Sequence, residues 1–320
     1  MLRGKGIFVG IYSSARETFA KVEDENGNLI GKAALQDTIN IHISIKHAWE
    51  LIKNIVSLSF REAGIQINDT HLDIHVGLGI KNTELVEACI ELKKLNNLFK
   101  TFIIDADGSV LLRGSHKNDG ATIILDYGVV GNAITSNKLI KIGGWGFPHA
   151  DKGSIPWIGL EAMQLTIQWL DGFIEETPLL TEVYRYFNND MSKLVKWAMY
   201  SRTDPKEYTF ICDIVLDYLH KKDKYSLSLI KSTAAEANKL YELLLEKSGN
   251  TELPCSLYGH LVSYAQKFIG YQLSTNITNP LGDGTDGAIT IIRSEANKGQ
   301  ANDCLPLTKN RLIPKYSFTG

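Results

Sequence analysis

Cysteine is scarce in this chain. Cys89, Cys212, Cys255 and Cys304 are the only four in 320 residues, far apart, with no CxxC pair and no histidine at metal-ligand spacing. That excludes a disulfide scaffold and a thiolate metal site, and leaves reduced, structural thiols. A surplus of charge of one sign is lacking too: 34 basic and 36 acidic side chains, spread along the sequence, give a net charge of -2. With no strong field there is no electrostatic footprint for nucleic acid or an anionic membrane surface, so small molecules or proteins are the expected partners. No apolar run approaches the roughly 20 residues that span a bilayer. The run Ile7-Phe8-Val9-Gly10-Ile11, after Arg3 and Lys5, is too short for the core of a signal peptide, and no small-x-small cleavage site follows it. A cytoplasmic protein is expected. HExxH, GxSxG and Walker A patterns are also missing, which removes zincin, serine-hydrolase and P-loop readings and leaves no metal-ligand set.

What is present fits an α/β protein of two domains, since 320 residues with 44% hydrophobic content exceed the usual size of one compact domain. Residues 7–11 read as a buried strand, and 18–22 and 29–34 as two more joined by a turn at 25–28. Residues 44–63 place Ile45, Ala48, Trp49, Ile52, Ile55, Val56 and Phe60 at helical spacing behind the potential N-cap Ser44. Strand-like runs at 71–78 and 102–104 flank a helical pattern over 83–99, the parallel crossover of an α/β sheet. A second set opens with 121–125 and a short strand at 139–142, then enters a glycine-rich loop at 143–147. Helical periodicity follows over 158–172, 179–187, 191–198, 206–220 and 225–247. A strand at 255–257, a helix at 259–269 and a last element at 287–293 close the chain. Two lobes are expected, each opening with a small meander and continuing into helices, with ligands in the crevice between them.

Three stretches carry a family resemblance. GGWGFPHADKGSIPWIGLEAM, residues 143–163, resembles the GGWGxxxGDEGSGxWxGxxAL segment of N-acetylglucosamine and glucosamine kinases and their ATPase relatives of the BadF/BadG/BcrA/BcrD type. DGSVLLRGSH, residues 107–116, is similar to the segment that begins with that family's catalytic aspartate, and GDGTDGAI, residues 282–289, to its closing GDxxxGAL. FVGI at 8–11 and GLGI at 77–80 stand where the first strand and a later strand end belong. The resemblance spans roughly residues 7–293 and implies the two-lobed, actin-like ATPase fold (ribonuclease H-like) with an interlobe cleft. Its lobes would cover 1–116 and 117–296, followed by an irregular tail over 297–320.

The resemblance also implies an activity: phosphorylation of glucosamine or N-acetylglucosamine at the 6-hydroxyl, with ATP and Mg2+ as cofactors. Such a reaction needs a carboxylate to accept the hydroxyl proton and a cradle for the phosphates. Asp107 is the implied base. It follows an apolar strand and precedes Gly108; Asp105, two residues earlier, is its rival, and a solvated turn aspartate is the plain alternative. On the sugar side, the family's GDEGS maps onto residues 150–154, so that Asp151 would accept hydrogen bonds from sugar hydroxyls, supported by Gly144, Trp145 and Gly146. A packing role for Trp145 stays open. Asn40 resembles a sugar-contacting asparagine, although a turn asparagine is an equal reading. An amino sugar is the implied partner, and a homodimer is compatible with the sequence.

The nucleotide side departs from the family. Its first phosphate loop, Asp-Gly-Gly-Gly-Thr, aligns with Tyr12, Ser13, Ser14, Ala15 and Arg16, which removes the glycines and the metal-organising aspartate. The second loop, Gly-Thr-Gly-Ser, aligns with Asp126, Tyr127, Gly128 and Val129. Where relatives carry a double glycine for adenosine, this chain has Gly259 followed by His260, while Gly282, Asp283 and Gly287 are kept. Arg16 would replace part of the cradle by charge, and Asp126 would hold a divalent ion. The competing reading is a catalytically silent relative that binds a sugar or a protein partner. A third, an activase-type ATPase, is opposed by the scattered cysteines.

Overall fold

The structure, a computed structural model, describes residues 6–68, 71–136, 138–200 and 204–297. In chain order its first elements are β1 (Gly6–Ser13), β2 (Thr18–Glu23), β3 (Leu29–Leu35), α1 (Ile45–Phe60), β4 (Asp73–Ile80), α2 (Val86–Lys94), β5 (Thr101–Ala106) and α3 (Asp107–Ser115). Then come β6 (Gly120–Leu125), β7 (Val129–Thr135), β8 (Lys138–Gly143), α4 (Ile155–Leu170), α5 (Pro178–Tyr186), α6 (Met191–Tyr200), α7 (Thr209–His220) and α8 (Lys224–Ser248). The last are β9 (Cys255–Tyr258), α9 (Val262–Ala265), α10 (Tyr271–Ser274) and α11 (Gly284–Asn297). Two compact units result. The first takes the chain to Gly120, Asn132–Lys141 and the described residues from Asn279 on; the second takes Ala121–Gly131 and Ile142–Thr278.

The first unit is built on a sheet of order β3-β2-β1-β4-β5. β1 pairs antiparallel with β2 and parallel with β4, and β4 pairs parallel with β5. Side chains alternate across a strand, so Ile7, Val9 and Ile11 join Trp49, Ile52 and other α1 residues in one core. Phe8 turns the other way, to Ile289 and Ile292 of α11. A strand covered on both faces reads as an unbroken apolar run, and this is the physical reason for IFVGI. α11 also crosses α3 closely: a Cβ on Gly114 would lie 2.0 Å from the Asp283 carbonyl, and one on Gly287 1.7 Å from that of Val110. α3 itself was not expected. DGSVLLRGS contains two glycines and two serines, poor helix formers, and it is the packing against α11 that holds it helical.

The second sheet has order β8-β7-β6-β9, with β6 and β9 parallel. β7 was missed as well, because VVGNAIT reads as a loop continuation rather than a bounded strand. In the second unit α4, α5, α7 and α8 pack around buried Leu179, Ile211, Val215, Leu229 and Tyr241, and the Tyr241 hydroxyl donates to the Leu253 carbonyl at 2.7 Å ahead of β9. The expected helix over 259–269 is broken instead into α9 and a 3-10 turn, Gln266–Phe268. The last element, α11, is longer than the expected 287–293. Beyond Asn297 the expected irregular tail lies outside the described residues, as does Cys304. Cys89, Cys212 and Cys255 are buried and unbridged, and burial pushes the Cys255 thiol up to about 12. Among the described residues no helix is long and apolar enough to cross a membrane.

Candidate functional site

In the first unit three parallel strands, β1, β4 and β5, end at one edge: Gly79 stands opposite Tyr12 on one side and Asp105 on the other. Asp107 leaves that edge as the first residue of α3, half-buried, its carboxylate accepting the Gly108 N–H at 2.7 Å. Asp105 is buried, with 8% of its surface exposed, and accepts the Ala106 N–H and the Ser109 hydroxyl at 2.7 and 2.9 Å. Burial raises its carboxyl above the usual range, against the pull of those bonds. The two rival aspartates therefore differ in access: Asp105 is enclosed, whereas Asp107 opens a helix with part of its surface in water.

The hairpin that leaves β1 at the same edge is closed on itself. The Ser14 N–H donates to the Glu17 carbonyl, and the Ser14 hydroxyl donates to that carbonyl while accepting the Arg16 and Glu17 N–H groups at 3.1 and 3.0 Å. Ser13 and Thr18 share a hydroxyl bond of 2.9 Å. Their other contacts reach the segment before α1: the Ile39 N–H donates to Ser13 Oγ at 2.9 Å, and Thr18 Oγ1 to the Asp37 carbonyl at 2.8 Å. Half-buried Asn40 is thereby fixed to the hairpin through its neighbour Ile39, a link that no pattern in the sequence announces. Gly282 and Asp283 lie at the start of α11. Asp283 accepts the Thr285 N–H at 2.8 Å, and its own N–H donates to the Asp286 carboxylate at 2.8 Å, a reciprocal cap. Lys21 bridges Asp283 and Asp286 at 2.9 and 2.8 Å. Burial alone would raise the Asp283 carboxyl, but the Thr285 and Lys21 bonds bring it below its usual value. The Tyr12 ring sits where a Cβ on Gly284 would fall, 2.5 Å away.

In the second unit the turn between β6 and β7 is the counterpart. The Asp126 N–H donates to the Gly128 carbonyl at 3.0 Å, and the Asp126 carboxylate accepts the Tyr127 and His260 N–H groups at 2.9 and 3.3 Å. Gly259, at φ 107°, follows β9 beside it, and a Cβ there would lie 2.2 Å from the Leu125 carbonyl. A side chain is excluded at that point. Asp151 lies beside Gly128, whose Cβ would stand 3.4 Å from its Oδ2. Asp151 is 8% exposed, adopts φ 61°, and accepts the Gly144 and Gly146 N–H groups at 3.0 and 3.1 Å. The glycine loop is thus hung on a buried carboxylate, and Trp145 between its two glycines is 70% exposed. Asp126, Gly128, Gly144, Gly146, Asp151 and Gly259 are brought into one network, with Trp145 on its surface.

A triphosphate cradle built from successive backbone N–H groups does not fit the 14–17 hairpin, where the Ser14, Arg16 and Glu17 N–H groups close within the turn. The glycine at 259 serves close packing against the Leu125 carbonyl, and Gly128 stands against the Asp151 carboxylate. Asp126 keeps carboxylate lone pairs beyond its two N–H partners. Among the described residues no group of three or more His, Cys, Asp or Glu side chains is arranged to hold a metal.

Residues 9–279 match the BadF/BadG/BcrA/BcrD ATPase family, and the chain belongs to it. A structure of a candidate N-acetylglucosamine kinase from Chromobacterium violaceum is 21% identical, covers 89% of this chain and 98% of its own, and superposes with a TM-score of 0.79. One from Porphyromonas gingivalis, also a candidate N-acetylglucosamine kinase, is 12% identical over 91% and 99% of the two chains, with a TM-score of 0.60. A ROK family glucokinase from Streptomyces griseus, in complex with glucose and AMPPNP, is 13% identical over 90% and 100%, with a TM-score of 0.51. These likenesses establish the fold. No curated protein matches the chain.

Proposed function

We propose that this protein transfers the terminal phosphoryl group of ATP to the 6-hydroxyl of N-acetylglucosamine or glucosamine. Asp107 accepts the hydroxyl proton, and the Gly143–Asp151 region, with Asn40, binds the sugar. ATP with Mg2+ supplies the phosphoryl group. The observation that carries the reading is the placement of Asp107: a half-buried carboxylate that opens a helix at the shared end of three parallel strands, beside an enclosed and less accessible Asp105. A general base needs both access to its proton and a fixed position, and Asp107 combines them. Asp151 supports the sugar side by holding two glycine N–H groups and so presenting Trp145 outward.

A second reading has its own observation. Because the Ser14, Arg16 and Glu17 N–H groups close within the turn, the same fold also suits a silent relative that binds sugar without ATP. A thermal-shift titration with MgATP and with each amino sugar, singly and together, separates the two. Stabilisation by both ligands, growing with concentration as linkage requires, is expected. Sugar-dependent ADP release should then fall about 10²- to 10⁴-fold in Asp107→Asn. Stabilisation by sugar alone would overturn the kinase reading in favour of the silent one.

A further inference from the structure

The proposed base at the start of α3 has a neighbour from β7 that no motif in the sequence singles out. Asn132 belongs to the first unit, as α3 does, and its side-chain amide lies across Gly108, the residue that follows Asp107. A Cβ on Gly108 would fall 2.4, 2.5 and 2.6 Å from Nδ2, Oδ1 and Cγ of Asn132. The amide thus meets the glycine face-on, and any side chain at 108 would push it away. Gly108 is also the residue whose N–H donates to the Asp107 carboxylate at 2.7 Å. Contacts therefore run in series from Asn132 to Gly108 to the carboxylate. On the same helix Val110 presses on β4, where a Cβ on Gly79 would lie 2.3 Å from its Cγ2, so two separate close contacts hold the start of α3.

Asn132 is 1% exposed, and its Nδ2 has no hydrogen-bond partner among the described residues. A buried amide NH2 without an acceptor carries the full cost of its lost hydration, and nearly all such groups in folded proteins are answered. Leucine has a similar shape and would avoid that cost, so packing alone does not account for an amide here. The glycine beneath it is joined directly to an acceptor with capacity to spare. An ionised carboxylate offers about four lone-pair sites, and at Asp107 the Gly108 N–H takes one.

We propose that Asn132 is the positioning residue of the base. Its amide holds Gly108 in place and, through Gly108, fixes the carboxylate. Its spare N–H serves the same carboxylate when a sugar hydroxyl draws Asp107 off the Gly108 N–H. Asn132 itself is enclosed and meets no ligand; what it contributes is orientation, which a general base requires within hydrogen-bond reach of the proton it takes. The role rests on the kinase reading above.

The test is steady-state, sugar-dependent ADP release by the full chain and by Asn132→Leu, Asn132→Ala, Asp107→Asn and the double variant Asn132→Leu/Asp107→Asn, with a thermal midpoint for each. Asn132→Leu should leave the midpoint equal or higher, because an unanswered buried donor is gone. It should lower kcat by about tenfold or more while KM for sugar and for ATP stays within about twofold. A packing role would do the reverse, lowering the midpoint and sparing kcat. On the Asp107→Asn background the same substitution should cost less than about twofold, since no base is left to position. If Asn132→Leu folds poorly, Asn132→Ala decides by the same kinetic criteria. A kcat within about twofold of the parent, or a loss that recurs in full on Asp107→Asn, would overturn the role while the kinase reading stands. A parent that binds sugar and releases no ADP overturns the kinase reading, and the role with it.

Discussion

The 14–17 hairpin and the 143–151 loop hold their backbone donors in opposite ways. In the hairpin, the hydroxyl of Ser14 turns the Arg16 and Glu17 N–H groups inward. In the loop, the Gly144 and Gly146 N–H groups are bound by the Asp151 carboxylate, which fixes the loop while leaving its surface available. Glycine alone does not make a binding loop; what counts is whether its donors are answered from beneath or from within. Serine answers from within, as it does wherever it competes with other partners of the backbone.

The sharpest way to break this comparison is Asp151→Ala. It removes the acceptor of two N–H groups at a buried position and places alanine at φ 61°, so urea unfolding should show a loss of about 2–4 kcal/mol. Binding of N-acetylglucosamine should disappear with it. Unchanged stability would mean that the loop holds its shape without the carboxylate.

Next in size is Ser14→Gly, which removes the hydroxyl that accepts the Arg16 and Glu17 N–H groups. A loss of about 1–2 kcal/mol in the same unfolding assay is expected, together with a severalfold gain in MgAMPPNP affinity as two donors are released. A gain in stability, or no change in nucleotide affinity, would show that the hairpin is closed for reasons other than Ser14.

Much of the frame was legible in the sequence. The period-two and period-3.6 patterns located β1, β2, β3 and α1, down to Ser44, whose hydroxyl accepts the His47 N–H at 3.2 Å. α3 was not legible because its helix is imposed by α11 rather than by DGSVLLRGS itself. Of the site, residue types were readable and partners were not. Asp151 announced a carboxylate, yet its bonds go to backbone N–H groups, which have no letter in the sequence; the same is true of the bond from Ile39 N–H to Ser13. Trp145 shows a further limit, since the exposure of a loop aromatic depends on what holds the loop.

A smaller effect is expected at Asp105, the enclosed carboxylate of the first unit. Burial raises its carboxyl in the folded state, so its contribution is most favourable below the ordinary carboxylate range of about 4. It is lost as pH rises through the higher folded value, because the unfolded chain gives up the proton first. Asp105→Asn, which stays neutral, should raise the thermal midpoint at pH 7 relative to the parent, and the difference should close as pH is lowered below about 4. Equal midpoints across that range would mean that the carboxyl ionises as readily inside as outside, and that enclosure does not separate it from Asp107.

The smallest change in stability should come from Trp145→Ala. At 70% exposure the ring removes little apolar surface from water, so the unfolding free energy should move by no more than about 0.5 kcal/mol. Its effect belongs in binding: if a sugar face covers the indole, truncation should weaken N-acetylglucosamine severalfold, on the order of 1 kcal/mol, and Trp145→Phe should restore part of it. The pairing of a silent stability readout with a weakened affinity separates a platform from a packing residue, and it ties the outward display of Trp145 to the carboxylate beneath. An affinity unchanged in Trp145→Ala would leave Asp151 holding a loop whose aromatic tip does not touch the sugar, and the difference between hairpin and loop would then rest on backbone alone.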